Sequence, residues 1–266
     1  MKNIFLFLLV LIITSCGKNG AELRLDAVAS ARTNGMSEKI YDTSIFKIFS
    51  LQKINDNDSP LHIYIEGDGR AWISRNTLSG DPTPRNSVAL QFALKDDSSN
   101  IIYLARPCQF IIDNDVNCES KYWSTARFSK EVIDSYVEIL RQYNNRKIDL
   151  IGHSGGGAVI VLAAAKLDNI SSITTIAGNL DHEAFTTTHD ITPLSDSENM
   201  DNAIKAISHI PQKHYMGGED KIITKEVFES FRKKLLPDNK ASFILVPGAT
   251  HNKGWDSIGN QLVSDQ

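Results

Sequence analysis

The chain has 266 residues, 41% of them hydrophobic, with 28 basic and 32 acidic side chains and a net charge of −4. That size and apolar fraction suit an ordinary globular core in one large domain or two small ones. The slightly acidic balance offers no electrostatic footprint for nucleic acid, so none is expected as a partner. The N-terminus reads as a leader rather than as part of the fold. A short basic start, Met1-Lys2-Asn3, precedes an apolar run over residues 4–13. The run has signal-peptide length and is too short for a comfortable transmembrane helix, and no later stretch is long and apolar enough to span a bilayer.

The run ends in Ile13-Thr14-Ser15-Cys16. This resembles the lipobox of bacterial lipoproteins, in which small residues precede a cysteine that becomes lipidated and N-terminal after cleavage. The resemblance implies a signal peptide over 1–15, lipidation of Cys16 and a membrane partner reached through that anchor. A plain secretory signal containing a cysteine is the alternative. Gly17, where an aspartate would signal inner-membrane retention, leans towards the outer membrane in a Gram-negative host. With Cys16 assigned to lipid, Cys108 and Cys118 remain, an even pair flanking the polar turn Asp113-Asn114-Asp115. An oxidising compartment would let them bridge, with two free thiols as the alternative. Neither lies in a C-x-x-C pair, so no metal site is expected.

Residues 17–38 are polar and rich in small side chains, which suggests a tether over 16–38 that could hold one short helix, and a folded domain over 39–266. Residues 44–51 have strand composition. Residues 61–66 form a second, alternating strand that runs into Gly67-Asp68-Gly69-Arg70-Ala71-Trp72. A helix is expected over 85–94, a strand over 101–104, and an amphipathic helix over 127–143 whose stripe is Val132, Ile133, Tyr136, Val137, Ile139 and Leu140. Residues 148–151 form an apolar strand and 158–165 a buried helix of small and aliphatic residues. Strands follow at 170–177, 212–216 and 242–246, with a helix at 225–235. Residues 178–208 are polar, irregular and too long for a simple connector, so they read as a small cap over a site. Strands alternating with helices imply right-handed crossovers, a mostly parallel sheet and helices on both faces, an α/β architecture.

Between the 148–151 strand and the helix after it lies Gly152-His153-Ser154-Gly155-Gly156, which fits G-x-S-x-G. A serine on so sharp a turn is held in a strained conformation, and the flanking glycines let strand and helix approach. A phosphate-binding glycine loop is the poorer fit, because the Lys-Ser/Thr ending and the G-x-G-x-x-G spacing are both missing. A serine hydroxyl needs a base, and a histidine base needs a carboxylate to fix its tautomer. Asp220, after the 212–216 strand, and His251, after the 242–246 strand, supply these in the order serine, acid, histidine. All three follow strands, and would meet beyond the strands' carboxyl ends.

The elbow, Gly217-Gly218-Glu219-Asp220 and Gly248-Ala249-Thr250-His251 together resemble the α/β-hydrolase superfamily over roughly residues 44–260, and within it the small exported bacterial lipoproteins of esterase or lipase type. The resemblance implies an α/β-hydrolase fold and a catalytic triad of Ser154, Asp220 and His251. Asp181 is the chief rival for the acid, with Glu219 weaker, and Asp220 could instead cap the helix that follows it. The oxyanion hole would use the Gly155 N–H and a donor from the loop after the 61–66 strand, Asp68 first and Gly69 second. Glu66 stands where many family members have histidine. The Asp68 carboxylate should point away from the oxyanion, towards Arg70 or Arg106. Trp72, Tyr122 and Trp123 are candidates for the pocket wall, and Trp255 for packing beneath the histidine loop. The implied reaction is hydrolysis of a carboxylic ester or related acyl bond on a small-molecule substrate, by a monomer without cofactor or metal. An inactive envelope binding protein of the same fold, a peptidase and an acyltransferase are the alternatives.

Overall fold

A computed structural model describes residues 17–259. The expected signal peptide over 1–15 and the lipidation at Cys16 lie outside the described residues. In chain order the elements are α1 (Gly20–Thr33), β1 (Ser37–Asp42), β2 (Lys47–Ile54), β3 (Leu61–Ile65), β4 (Trp72–Ser74), β5 (Thr77–Leu78), α2 (Val88–Lys95) and β6 (Asn100–Leu104). Then come α3 (Lys130–Arg141), β7 (Ile148–His153), α4 (Gly155–Ala164), β8 (Ile170–Ile176), α5 (His182–His189), α6 (Met200–Ala206), β9 (Gln212–Gly217), α7 (Lys225–Lys234) and β10 (Ala241–Val246).

Eight strands form one sheet in the order β1-β2-β6-β3-β7-β8-β9-β10. The pairs from β6 to β10 are parallel, and β1 and β2 add an antiparallel edge. The central strands β3, β6 and β7 are buried along their whole length, as strands covered on both faces must be. Ile63, Leu150 and Ile173 point into the layer beneath α3, α4 and α6, while Tyr64, Ile151 and Tyr215 point into the layer that holds α1 and α2. The chain leaves β3 on one side for β6, then crosses back to β7 on the other. Loops after β3 and β7 therefore part at their carboxyl ends and open a crevice.

Three expectations need correction. The segment read as a tether is mostly α1, started by a capping box between Asn19 and Glu22 and docked through Ala27, Val28 and Ala31. The apolar residues it buries are small, and its Leu25 is 70% exposed, so the helical stripe is faint in sequence. β1 is an edge strand, exposed at Ser37, Glu38 and Asp42, and its polar composition hid it. The stretch 178–208 is not irregular. Asp181 caps α5, and α6 buries Met200, Ala203 and Ile204 against α4, so α6 flanks the sheet and only the region of α5 lies over the crevice. The short hairpin β4–β5, unforeseen because its residues are largely exposed, flanks the crevice on the other side. Cys108 and Cys118 form a disulfide with a Cα–Cα distance of 5.5 Å.

Candidate active site

β7 delivers Ser154 directly. The strand runs to His153, and Ser154 takes φ 52° and ψ −120° before α4 starts at Gly155. A positive φ in a residue with a side chain is a strained state that only tight surroundings maintain. Those surroundings are glycine-built. A Cβ on Gly152 would lie 2.5 Å from the Gly156 carbonyl oxygen, and one on Gly156 would lie 2.2 Å from that of Ile65. No side chain fits at either position, so strand, turn and helix close on one another as the elbow requires.

His251 and Asp220 arrive on loops after β10 and β9. Ser154 Oγ lies 2.9 Å from His251 Nε2, and His251 Nδ1 lies 2.9 Å from Asp220 Oδ2. With the carboxylate accepting from Nδ1–H, Nε2 keeps its lone pair for the serine proton. The other Asp220 oxygen, Oδ1, accepts from the N–H groups of Ile222 (2.7 Å) and Ile223 (3.0 Å). The carboxylate thus fixes its own turn as well as the histidine. The cap of α7 is Thr224. Asp181 is engaged elsewhere, accepting from Ala184 N–H, from Ser230 Oγ at 2.8 Å and from Lys234 Nζ at 3.0 Å. Glu219 is exposed.

Behind the elbow, His153 is buried and its Nε2–H donates to the His251 carbonyl at 2.9 Å. Burial, with His251 adding to it, holds its pKa down to about 3, so it is a neutral strut under the histidine loop. Trp255 donates to the same carbonyl at 3.3 Å.

The β3 loop wraps the other side of Ser154. A Cβ on Gly67 would lie 3.2 Å from Ser154 Cβ, and one on Gly155 would lie 2.1 Å from Asp68 Oδ1. Gly155 must therefore lack a side chain for the Asp68 carboxylate to pack there. Asp68 does turn its carboxylate away, but onto a pair of guanidinium groups: Arg106 Nη1 on Oδ1 and Arg127 Nη1 on Oδ2, each at 2.8 Å. Arg70, named with Arg106 as an expected partner, is not among its contacts. Burial alone would raise the Asp68 carboxyl, and the two arginines outweigh it and hold the pKa below the usual carboxylate range. Among the described residues, no protein acceptor takes the N–H of Asp68, Gly69 or Gly155.

Glu66, where the resemblance led to an expectation of histidine, is fully enclosed. It accepts from Gly67 N–H at 3.0 Å and Tyr103 OH at 3.1 Å, with longer contacts to the N–H groups of Ala89 and Leu90. Burial pushes its pKa up to about 7. Sequence reasoning missed this role for Glu66, and also missed Arg127 and Asn179. Arg127 and Asn179 line the crevice with no motif to mark them.

The crevice over Ser154 measures about 540 Å³, bounded by Trp72, Pro84, Phe185 and Ile222 among others. Of the expected wall residues only Trp72 lies there. Tyr122 packs edge-on against Phe46, and Trp123 donates to the Ser79 carbonyl in the core. Among the described residues no group of three or more His, Cys, Asp or Glu could hold a metal ion, and no helix is long and apolar enough to cross a membrane.

Comparison with known proteins agrees with this architecture. A family model described as the alpha/beta hydrolase fold matches residues 110–219, which include the elbow. No curated protein sequence matches the chain. Among solved structures, Est1E from Butyrivibrio proteoclasticus superimposes with a TM-score of 0.61 at 14% identity, covering 85% of this chain and 95% of its own. Carboxylesterase CesB from Bacillus subtilis gives 0.57 at 11% identity, covering 91% and 96%. An alpha-beta serine hydrolase homologue from Coxiella burnetii gives 0.58 at 12%, covering 85% and 95%. The strand order, the serine elbow after β7, the matched segment and the solved structures together give this chain the α/β-hydrolase fold.

Proposed function

We propose that this protein is a serine hydrolase that cleaves a carboxylic ester, or a closely related acyl bond, through an acyl-enzyme. The observation that carries the reading is the unbroken chain from Ser154 Oγ through His251 to Asp220, with both links at 2.9 Å and the serine on a strained elbow. In the first step His251 Nε2 takes the hydroxyl proton as Ser154 Oγ bonds to the acyl carbon. Asp220 stabilises the imidazolium that results. Negative charge on the acyl oxygen falls to the N–H groups of Gly155 and Asp68, with Gly69 next to them and the start of α4 behind. His251 then returns the proton to the leaving alcohol. Water, deprotonated by the same imidazole, releases the acid and restores Ser154. Nothing in these steps calls for a cofactor.

The proposal extends to address. An exported lipoprotein, cleaved before Cys16 and anchored through it, suits the leader sequence, and the Cys108–Cys118 disulfide suits an oxidising compartment. The solved structures of the same fold include a carboxylesterase, which favours an ester as the bond cleaved. The test is turnover of para-nitrophenyl esters of increasing acyl length, by wild type and by Ser154→Ala. Hydrolysis that disappears in the variant is the expected result. Equal rates for both proteins would sink the proposal.

A further inference from the structure

The rim of the active-site crevice is unlike the rest of the surface. Of the few large apolar side chains left exposed, Trp72 and Ile222 stand at its mouth, and Ile73 and Ile191 follow Trp72 and Asp190 directly in the chain, all between 38% and 55% exposed. Trp72 and Ile222 line the crevice itself. The others are brought in by contacts across it. Arg75, in the β4–β5 turn, reaches Asp190 at the end of α5, with 3.7 Å between Nη2 and Oδ2. His189 lies 2.7 Å from the Ile222 carbonyl. Hairpin, α5 end and acid loop thus form one apolar collar. Nothing in the fold needs it, because isolated exposed apolar residues are normal but a cluster around an opening is a contact surface.

The collar is also basic. Arg70 and Arg85 line the mouth and have no carboxylate partner among the described residues, and the exposed Lys221 and Lys253 are next in sequence to the lining residues Ile222 and Asn252. Of the acids nearby, Asp68 is held by Arg106 and Arg127, Asp190 lies 3.7 Å from Arg75, Glu66 is enclosed at the crevice floor, and Glu219 is exposed. A third observation fixes the direction. Gly17, the first described residue, lies at the same rim, where a Cβ would come within 3.0 Å of Arg85 Nη2. The apolar run 4–13 and Cys16 directly precede it in sequence.

We infer that the collar around the crevice docks on an anionic lipid surface, with Trp72, Ile73, Ile191 and Ile222 entering the interface and Arg70, Arg85 and Lys221 facing the headgroups. A tryptophan between exposed isoleucines, with cations behind it, is the composition that seats at a bilayer boundary. An anchor at Cys16 would then hold the mouth against the membrane rather than away from it. This goes beyond the hydrolytic reading and does not depend on it.

Trp72 reports on the contact directly, since the other two tryptophans, Trp123 and Trp255, are buried at 6% and 4% exposure. The full chain is mixed with vesicles of equal parts phosphatidylcholine and phosphatidylglycerol carrying brominated acyl chains, and tryptophan emission is followed. The expected result is quenching on the order of one tryptophan's share of three, lost in Trp72→Phe. Ile222→Gln, which keeps all three tryptophans, should raise the vesicle concentration for half-maximal quenching. Arg85→Gln with Lys221→Gln should raise it by about 5-fold per charge removed. Binding without quenching of Trp72 would put the mouth away from the lipid and overturn the inference. So would equal quenching on purely zwitterionic vesicles, or Trp72→Phe quenched as strongly as wild type.

Discussion

Two edges of the same sheet carry a serine, a histidine and an aspartate in contact, and only one of the two has the histidine between the serine and the acid, as the proposed proton transfer requires. Beyond the carboxyl ends of the strands, His251 meets Asp220 through Nδ1 and Ser154 through Nε2, so the ring links the two. At the opposite edge, Asp96 and Ser98 both approach Nδ1 of His62, at 2.7 and 3.0 Å, while Asp149 lies 3.9 Å from Nε2. That ring has carboxylates on both sides and links no serine to an acid. Burial opposes its protonation, but the hydrogen bond and charge of Asp96 with the charge of Asp149 win, and the His62 pKa is raised. A cleft of about 670 Å³ opens beside it, larger than the crevice over Ser154. Residue types and cavity size therefore do not distinguish the two edges. Connectivity through the imidazole does, together with the strained serine, which only the first edge has.

Removing the matched residue at each edge should give the largest difference between them. Ser154→Ala and His251→Ala should each lower turnover by about 10⁶-fold, and Asp220→Asn by about 10⁴-fold. Ser98→Ala should leave turnover at the wild-type level in the same ester assay. If Ser98→Ala were the inactive one, the assignment of edges would be reversed.

A second test separates architecture from chemistry at the active edge. Asp68→Asn removes the one carboxylate between Arg106 and Arg127, and breaking a buried ion network in this way costs about 3–5 kcal/mol. Urea unfolding should report that loss. By contrast, replacing Cys108 and Cys118 with serine opens a short loop that contributes none of Ser154, Asp220 and His251. It should cost about 2–3 kcal/mol by the same measurement, with turnover retained.

The smallest effects lie in pH. Burial holds His153, His182 and His214 neutral in the fold, with pKa values near 3, 4 and 3. In the unfolded chain each takes up a proton near about pH 6.5, so their contribution is full above that value and is lost as pH falls towards the folded values. His62 has the opposite sign. Its folded pKa is raised, so its contribution is full below the unfolded value and is lost as pH rises through the folded one. His62→Gln should accordingly lower the thermal midpoint more at about pH 5.5 than at about pH 8.5, without altering turnover. A larger loss at the higher pH would mean that His62 is neutral in the fold.

Much of the architecture was legible because it is written in apolar runs. β3, β6, β7 and the stripe of α3 are long or regular enough to announce themselves, and G-x-S-x-G joins strand to helix where a turn must fall. The start of α4 was harder to read, since Gly155, Gly156 and Gly157 look like loop residues until Ile65 and Asp68 are seen pressing on the first two. α1, β1 and the β4–β5 hairpin were hidden for a different reason. They sit at margins, bury little, and carry the polar composition of any surface. At the site, residues that follow strands could be placed from chain order alone. The pairing of Asp68 with Arg106 and Arg127 could be anticipated only in part, because Arg127 comes from a loop between distant elements. Likewise, nothing local in sequence ties Asp181 to Ser230 and Lys234 rather than to His251.

The most direct test of the central claim is covalent labelling of the folded full chain with a fluorophosphonate, with the adduct located by mass spectrometry. Wild type should carry one adduct, on Ser154, and His251→Ala should carry none because the serine then has no base. A folded wild-type protein that stays unlabelled, or is labelled on another residue, would contradict the account.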